Sequence, residues 1–200
     1  TFAAQAQTLS TGFGDGVTVN GENLLLWHLN TTSMSIHWDR PTLGYVFNSS
    51  TAWPQEYDVI EIPNEGVWTY WVIQQVSGSP PITHPIHLHG HDFFVLGHQA
   101  SSNFDASTMM DQLNFENPPR RDTATLPAAG WLVLAFEANN PGAWLMHCHI
   151  AWHISEGLGV QFLEAKNQIV LPDQTQFTQQ CSSWKQYAAH MAWPQIDSGL

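Results

Sequence analysis

Residues 147–153 read His-Cys-His-Ile-Ala-Trp-His, a thiolate donor between two imidazoles with a third imidazole four residues beyond the last. On an extended strand successive side chains point to opposite faces, so His147 and His149 project one way and Cys148 the other. The thiolate then faces a different metal from the one its neighbours face, and a single backbone segment joins the two. That arrangement suits the movement of electrons between metals. A second cluster, His84-Pro85-Ile86-His87-Leu88-His89-Gly90-His91, places His87 and His89 on one strand face by the same rule. Seven of the 11 histidines fall in these two stretches. One His-x-His pair is as well explained by packing or by zinc. Two pairs with a thiolate inside one of them, and a spare histidine beside each, point to more than one metal. A thiolate with two imidazoles in a trigonal set is a blue-copper arrangement, whereas zinc sites more often close tetrahedrally with a fourth strong ligand. Cys148, His84 and His153 are the natural candidates for that set.

These donors need strands to hold them. Leu24–Trp27, Tyr57–Ile62, Val67–Ile73, Phe93–Leu96, Trp131–Phe136 and Gly159–Leu163 are short apolar, alternating or β-branched runs. Turn chemistry at Pro63–Gly66, Asn117–Pro119 and Asn139–Gly142 separates them. Many short strands with little helical periodicity predict an all-β sandwich. Residues 1–20, rich in Gly, Ser, Thr and Ala, read as a linker or irregular entry. Residues 100–117 read as a short helix or a long surface loop. Ser183–Met191 has helical composition, and Pro194 is expected to end that helix.

Composition narrows the partners. The chain has 200 residues and a formal net charge of −12, with only five Lys and Arg. Nothing here could neutralise a run of phosphates, which argues against nucleic acid. No stretch approaches the roughly 18–20 apolar residues of a membrane span, and residues 1–20 lack a signal-peptide pattern. If the protein is secreted, its signal lies outside this sequence. The triplets Asn30-Thr31-Thr32 and Asn48-Ser49-Ser50 are N-glycosylation sequons of a secretory kind. Of the two cysteines, Cys148 belongs to the histidine cluster, so Cys181 either bridges to another segment or is a buried free thiol.

Over roughly residues 20–200 the chain resembles the C-terminal domain of a multicopper oxidase, most closely an ascomycete-type fungal laccase, on the two histidine motifs above. The resemblance implies a cupredoxin-like Greek-key β-sandwich over residues 21–180, with short helices. A C-terminal helix and tail, residues 181–200, would pack on other domains. It assigns His84, Cys148 and His153 to a type 1 copper with Leu158 in the axial direction. Leu158 cannot donate a lone pair, so the potential should be high. It assigns His87 to a type 2 copper, His89 and His147 to one copper of a type 3 pair, and His149 to the other, with four coppers per complete protein. A phenolic substrate would give electrons near His153. They would pass through Cys148 and its flanking histidines, and O2 would become water.

That family's trinuclear cluster needs twice the four histidines present here, and His28, His37, His98 and His190 are isolated. The resemblance therefore implies further N-terminal domains, from a missing segment or a companion chain, that supply four more His ligands and a disulfide partner for Cys181. The ending Asp197-Ser198-Gly199-Leu200 resembles a processed C-terminus that enters the channel to the cluster. Asp197 and Ser155 become candidates for proton delivery. Asp92 and Asp122 are candidate acceptors for the second N–H of ligating imidazoles, although a plain salt bridge to Arg120 or Arg121 explains Asp122 as well. An extracellular location follows from the same resemblance. Two alternatives stand beside the laccase reading: another multicopper oxidase, such as a ferroxidase or a pigment-forming oxidase, and a single-copper electron carrier.

Overall fold

The aromatic and β-branched runs become strands because such side chains pack well on a pleated, half-buried surface. In the computed structural model, which describes all residues except 1, 20, 21, 171, 172 and 194, the strands form two sheets. One holds β1 (Ala6–Val19), β2 (Glu22–Leu29), β4 (Val67–Gln75), β6 (Phe93–Gln99), β7 (Arg120–Arg121) and β9 (Trp131–Ala138), in the order β2-β1-β4-β9-β6-β7. The other holds β3 (Val59–Ile62), β5 (His84–Leu88), β8 (Thr123–Leu126), β10 (Gly142–Cys148) and β11 (Gly159–Glu164), in the order β3-β11-β10-β5-β8. Four helices join them among the described residues: α1 (Phe2–Gln5), α2 (Thr42–Phe47), α3 (Ala151–Ser155) and α4 (Gln174–Ala188).

The inner faces of the two sheets meet in one core. Trp27, Trp71 and Leu134 come from the first sheet and Ile86, Met146, Cys148 and Phe162 from the second. Strand β9 shows why the run Trp131–Phe136 is apolar without interruption. Leu132, Leu134 and Phe136 face the sandwich, while Trp131, Val133 and Ala135 face a second cluster on the outer side. The segment 100–117 supplies part of that cover. It is a loop with one 3₁₀ turn at Met110–Gln112, and Leu113 and Phe104 pack on the outer cluster, Phe104 with its ring 4.9 Å from Trp131.

Two expectations are corrected, and the tail, expected to pack on other domains, also makes contacts within this chain. Residues 6–19 are not an irregular entry: β1 lies between β2 and β4, paired antiparallel with the first and parallel with the second. Its Gly, Ser and Thr content lowers intrinsic strand preference, but ladder hydrogen bonds on both edges and the burial of Leu9 and Thr11 override it. The C-terminal helix starts nine residues earlier than its composition indicated. It begins at Gln174 because the Asp173 carboxylate accepts the Gln176 N–H at 2.9 Å, an N-cap. It ends at Ala188, and Pro194 lies outside the described residues. The tail packs on this chain itself. The Ser198 hydroxyl donates to the Ile154 carbonyl at 2.6 Å, and its N–H donates to the Ser155 carbonyl at 2.9 Å. Both carbonyls belong to the last turn of α3, so the tail satisfies groups that the helix leaves open.

Candidate metal centres

The pleat of two neighbouring strands sorts the donors. Strand β10 pairs antiparallel with β5, with Cys148 opposite Ile86 and His147 opposite His87. His84, Ile86 and Leu88 are buried toward the sandwich, and Cys148 shares that side. His87 and His147 therefore lie on the outer face of the same ladder. His149 follows the strand, and its N–H donates to the Pro85 carbonyl at 2.7 Å, so the ladder continues one step past β10.

The inner site takes its third donor from α3. After β10 the chain forms this single short helix and turns back at Gly157, whose φ of 92° suits glycine and whose Cβ, if present, would lie 2.8 Å from the Met34 nitrogen. Leu158 N–H then donates to the His153 carbonyl, and Cys148 N–H donates to the Leu158 carbonyl. This return brings His153 and Leu158 beside Cys148. The three donor atoms form a near-equilateral triangle: His84 Nδ1 to His153 Nδ1 is 3.1 Å, Cys148 Sγ to His153 Nδ1 3.4 Å, and Cys148 Sγ to His84 Nδ1 3.6 Å. A point equidistant from all three lies about 2 Å from each, close to ordinary metal–imidazole and metal–thiolate lengths of about 2.0–2.3 Å. The donor set thus fits one soft transition-metal ion. Leu158, 1% exposed, is buried in the core cluster that contains Cys148.

Burial sets the protonation of this triad. It pushes His84 down to about 4, with His153 adding to the effect, and it pushes His153 down as well. Both imidazoles offer lone pairs at neutral pH. Burial also pushes the Cys148 thiol up to about 11, against the Ile150 backbone, which acts the other way. A metal must therefore displace that proton to bind.

The outer site gathers His87, His89 and His147, whose ligand atoms all lie within 4.8 Å of one another. His89 Nε2 stands 3.2 Å from His147 Nε2, and His149 stacks on His147 with ring centroids 5.6 Å apart. Carbonyl groups fix the tautomers. His87 Nδ1 lies 2.8 Å from the Asp122 carbonyl and 3.1 Å from Thr123 Oγ1, and His147 Nδ1 lies 2.9 Å from the Cys148 carbonyl. Only an N–H can bond a carbonyl, so both rings carry the proton on Nδ1 and keep Nε2 as a free donor to metal. Burial, then the neighbouring His87 and His149, push His89 down. His147 is held at about 4, chiefly by burial.

Of the two proposed acceptors, Asp122 serves through its backbone carbonyl, and its carboxylate stays 4.0 Å from His87. Asp92 turns away and meets Arg120 at 3.7 Å, so it supports no histidine. Ser155 and Asp197 are joined by Ser198 rather than to a donor cluster. Ser155 accepts the Ser198 N–H, while the Asp197 carboxylate accepts the Gly199 N–H at 3.1 Å. Cys181 is free among the described residues, on α4 in a groove shared with Tyr45, Phe47 and Phe177.

Two further contacts lay beyond the sequence reading. His91 Nε2 meets Glu164 Oε1 at 2.7 Å, with both side chains almost fully buried. That pair ties the Gly90 turn, immediately after His89, to the end of β11. The turn also sits under Trp144 and is held by Asn140, whose Nδ2 donates to the Gly90 carbonyl at 3.0 Å. Trp27 packs against both His84 and His153. His91 was visible in its motif without a role, whereas nothing in the run Leu24–Trp27 marked the tryptophan.

Comparison with known proteins agrees with this geometry. A family model described as multicopper oxidase matches residues 21–168. Laccase-2 of Podospora anserina is 42% identical over 198 residues, covering 92% of this chain and 32% of that protein. The laccase of Neurospora crassa is 42% identical over 206 residues, covering 96% of this chain and 33% of that protein. The crystal structure of a laccase from Botrytis aclada superposes with a TM-score of 0.86 at 37% identity, covering 98% of this chain and 35% of that one. The likeness extends to the two-sheet cupredoxin fold, and the chain spans about a third of the length of the curated relatives it matches. On the family match, the shared fold and the two donor clusters together, the chain belongs to the multicopper oxidase family, for which copper is the implied metal.

Proposed function

We propose that this chain is the C-terminal, copper-holding part of a laccase-type oxidase of phenolic substrates. The observation that carries this reading is the adjacency of His147 and Cys148, consecutive residues whose donor atoms belong to two separate metal-sized clusters. A single-copper carrier has no use for the outer cluster. Bound copper supplies one-electron oxidation of phenols at the inner site and four-electron reduction of O2 to water at the outer one.

His84, Cys148 and His153 would hold the type 1 ion, with Leu158 buried in the same core as Cys148 and offering no lone pair. His87 would hold the type 2 ion, His89 and His147 one ion of the type 3 pair, and His149 part of the other. The rest of the protein would supply four more histidines and a partner for Cys181. His153 keeps 8% of its surface exposed and gives a phenol an edge to approach, next to Trp152 at 76%. Ser155 and Asp197 would carry protons toward the outer site; the Ser155 carbonyl accepts the N–H of Ser198, the residue that follows Asp197. We further propose secretion, supported by the exposed sequon residues Asn30 and Asn48.

Metal counting on the full-length protein tests the reading. Four coppers, an intense blue band and O2 uptake driven by a methoxyphenol are expected. One copper per molecule would overturn it, and faster oxidation of Fe(II) than of the phenol would move the assignment to a ferroxidase.

A further inference from the structure

We propose that Trp27 is the positioning residue that sets the inner site's reduction potential, by standing as an apolar wall beside His84, whose second nitrogen finds no hydrogen-bond acceptor. This inference rests on the type 1 reading of that site. Trp27 is 3% exposed, and its ring centroid lies 4.8 Å from that of His84, nearly edge-on at 77°, and 4.6 Å from that of His153. No other aromatic residue described touches both imidazoles. The indole is itself held in place. Its N–H of the backbone donates to the Glu156 carbonyl at 3.0 Å, its carbonyl accepts the Ser33 hydroxyl at 2.6 Å, and Phe13 packs behind it at 4.8 Å.

The consequence falls on His84 Nε2. With Nδ1 directed at the thiol, Nε2 is the nitrogen that carries the proton, and it is buried with no hydrogen-bond partner among the described residues. A ligating imidazole ordinarily gives this N–H to a carbonyl or carboxylate, which makes the ring a stronger donor to metal. His87 and His147 of the outer site do so. The His84 N–H has no such acceptor, and its ring packs against that of Trp27, an aromatic face being at best a weak acceptor. A less basic imidazole stabilises Cu(II) less than Cu(I). A dry wall acts in the same direction, because the oxidised ion carries one more positive charge than the reduced one. The couple involved is one electron per copper, taken from the phenolic reductant, with no proton moved at Trp27.

Redox titration of the blue band in the full-length copper-loaded protein tests this with three variants. Trp27→Phe keeps an apolar ring, and its Cu(II)/Cu(I) ratio at a fixed solution potential should stay within about threefold of wild type. Trp27→Gln and Trp27→His bring an acceptor of different size to the same place. Each should raise that ratio at least tenfold, about 59 mV for one electron. A folded, blue acceptor variant with an unchanged ratio overturns the proposal. So does loss of the blue band in both acceptor variants while Trp27→Phe keeps it, since the wall would then retain copper rather than set its potential. Absence of a blue band from the wild-type protein would instead sink the type 1 reading itself.

Discussion

His84 and His147 are both held near 4, both chiefly by burial, and both stand on paired strands of one sheet. Their surroundings are nevertheless opposite. Around His84 packing dominates: Trp27 lies against the rings, Leu158 lies in the same core as Cys148, and the second nitrogen finds no acceptor among the described residues. Around His147 and His87 the second nitrogen is always met by a carbonyl, and the cluster is partly open to solvent. One ladder thus presents a dry face that holds donors by packing and a wetter face that holds them by hydrogen bonds. The first arrangement tunes an ion toward accepting an electron. The second fixes tautomers so that several imidazoles can converge.

The sharpest way to break the contrast is to remove the inner site's thiolate. In the full-length protein Cys148→Ser should abolish the blue band and lose one copper per molecule, while the outer site keeps its own. Elemental analysis beside the visible spectrum reads both. The next effect belongs to the buried clamp behind the outer site. Glu164→Ala leaves His91 buried without its partner, and unfolding stability should fall by about 1–3 kcal/mol. Copper retention at the outer site should fall about 10–100-fold with the blue band kept, because the clamp acts two residues from His89 and at the opposite end of β10 from Cys148.

Protonation gives a third, smaller test on copper-stripped protein. In the unfolded chain the imidazoles take up protons near 6.5, but in the fold His84 and His147 wait until about 4. Between those values the unfolded state binds more protons, so stability is full above pH 6.5 and is lost as pH falls toward 4. The loss should be seen as a falling thermal midpoint. A midpoint that rises over that interval would contradict the assigned burial. The smallest effect is expected for Thr123→Val. It removes one of two partners of His87 Nδ1 and leaves the Asp122 carbonyl, so outer-site copper affinity should weaken only a few-fold, about 1 kcal/mol.

The division between the two faces was legible in the sequence because alternation is a property of the backbone. His87 with His89, and His147 against Cys148, follow from a period of two whatever surrounds them. The sandwich followed from the same runs. What surrounds the donors was not legible. His153 reaches Cys148 only because α3 and the Gly157 turn fold the chain back, and a five-residue spacing alone leaves that open. Trp27 arrives from the other sheet, and its run reads as ordinary core. Glu164 closes an apolar strand with nothing to announce a buried partner. Asp92 sits beside His91 in sequence but on an exposed edge, where Arg120 is nearer than any imidazole. Strand β1 was hidden for a related reason: its composition is that of a loop, and only the ladders on both sides make it a strand.

The central claim is that the β5–β10 pleat sends neighbouring residues to separate metals. Anomalous diffraction at the copper edge from crystals of the full-length protein tests it directly. The account predicts one isolated peak within bonding distance of His84 Nδ1, Cys148 Sγ and His153 Nδ1, and a separate group of peaks on the face of His87, His89 and His147. A single peak bonded to both Cys148 and His147, or no peak inside the His84–Cys148–His153 triangle, would contradict it.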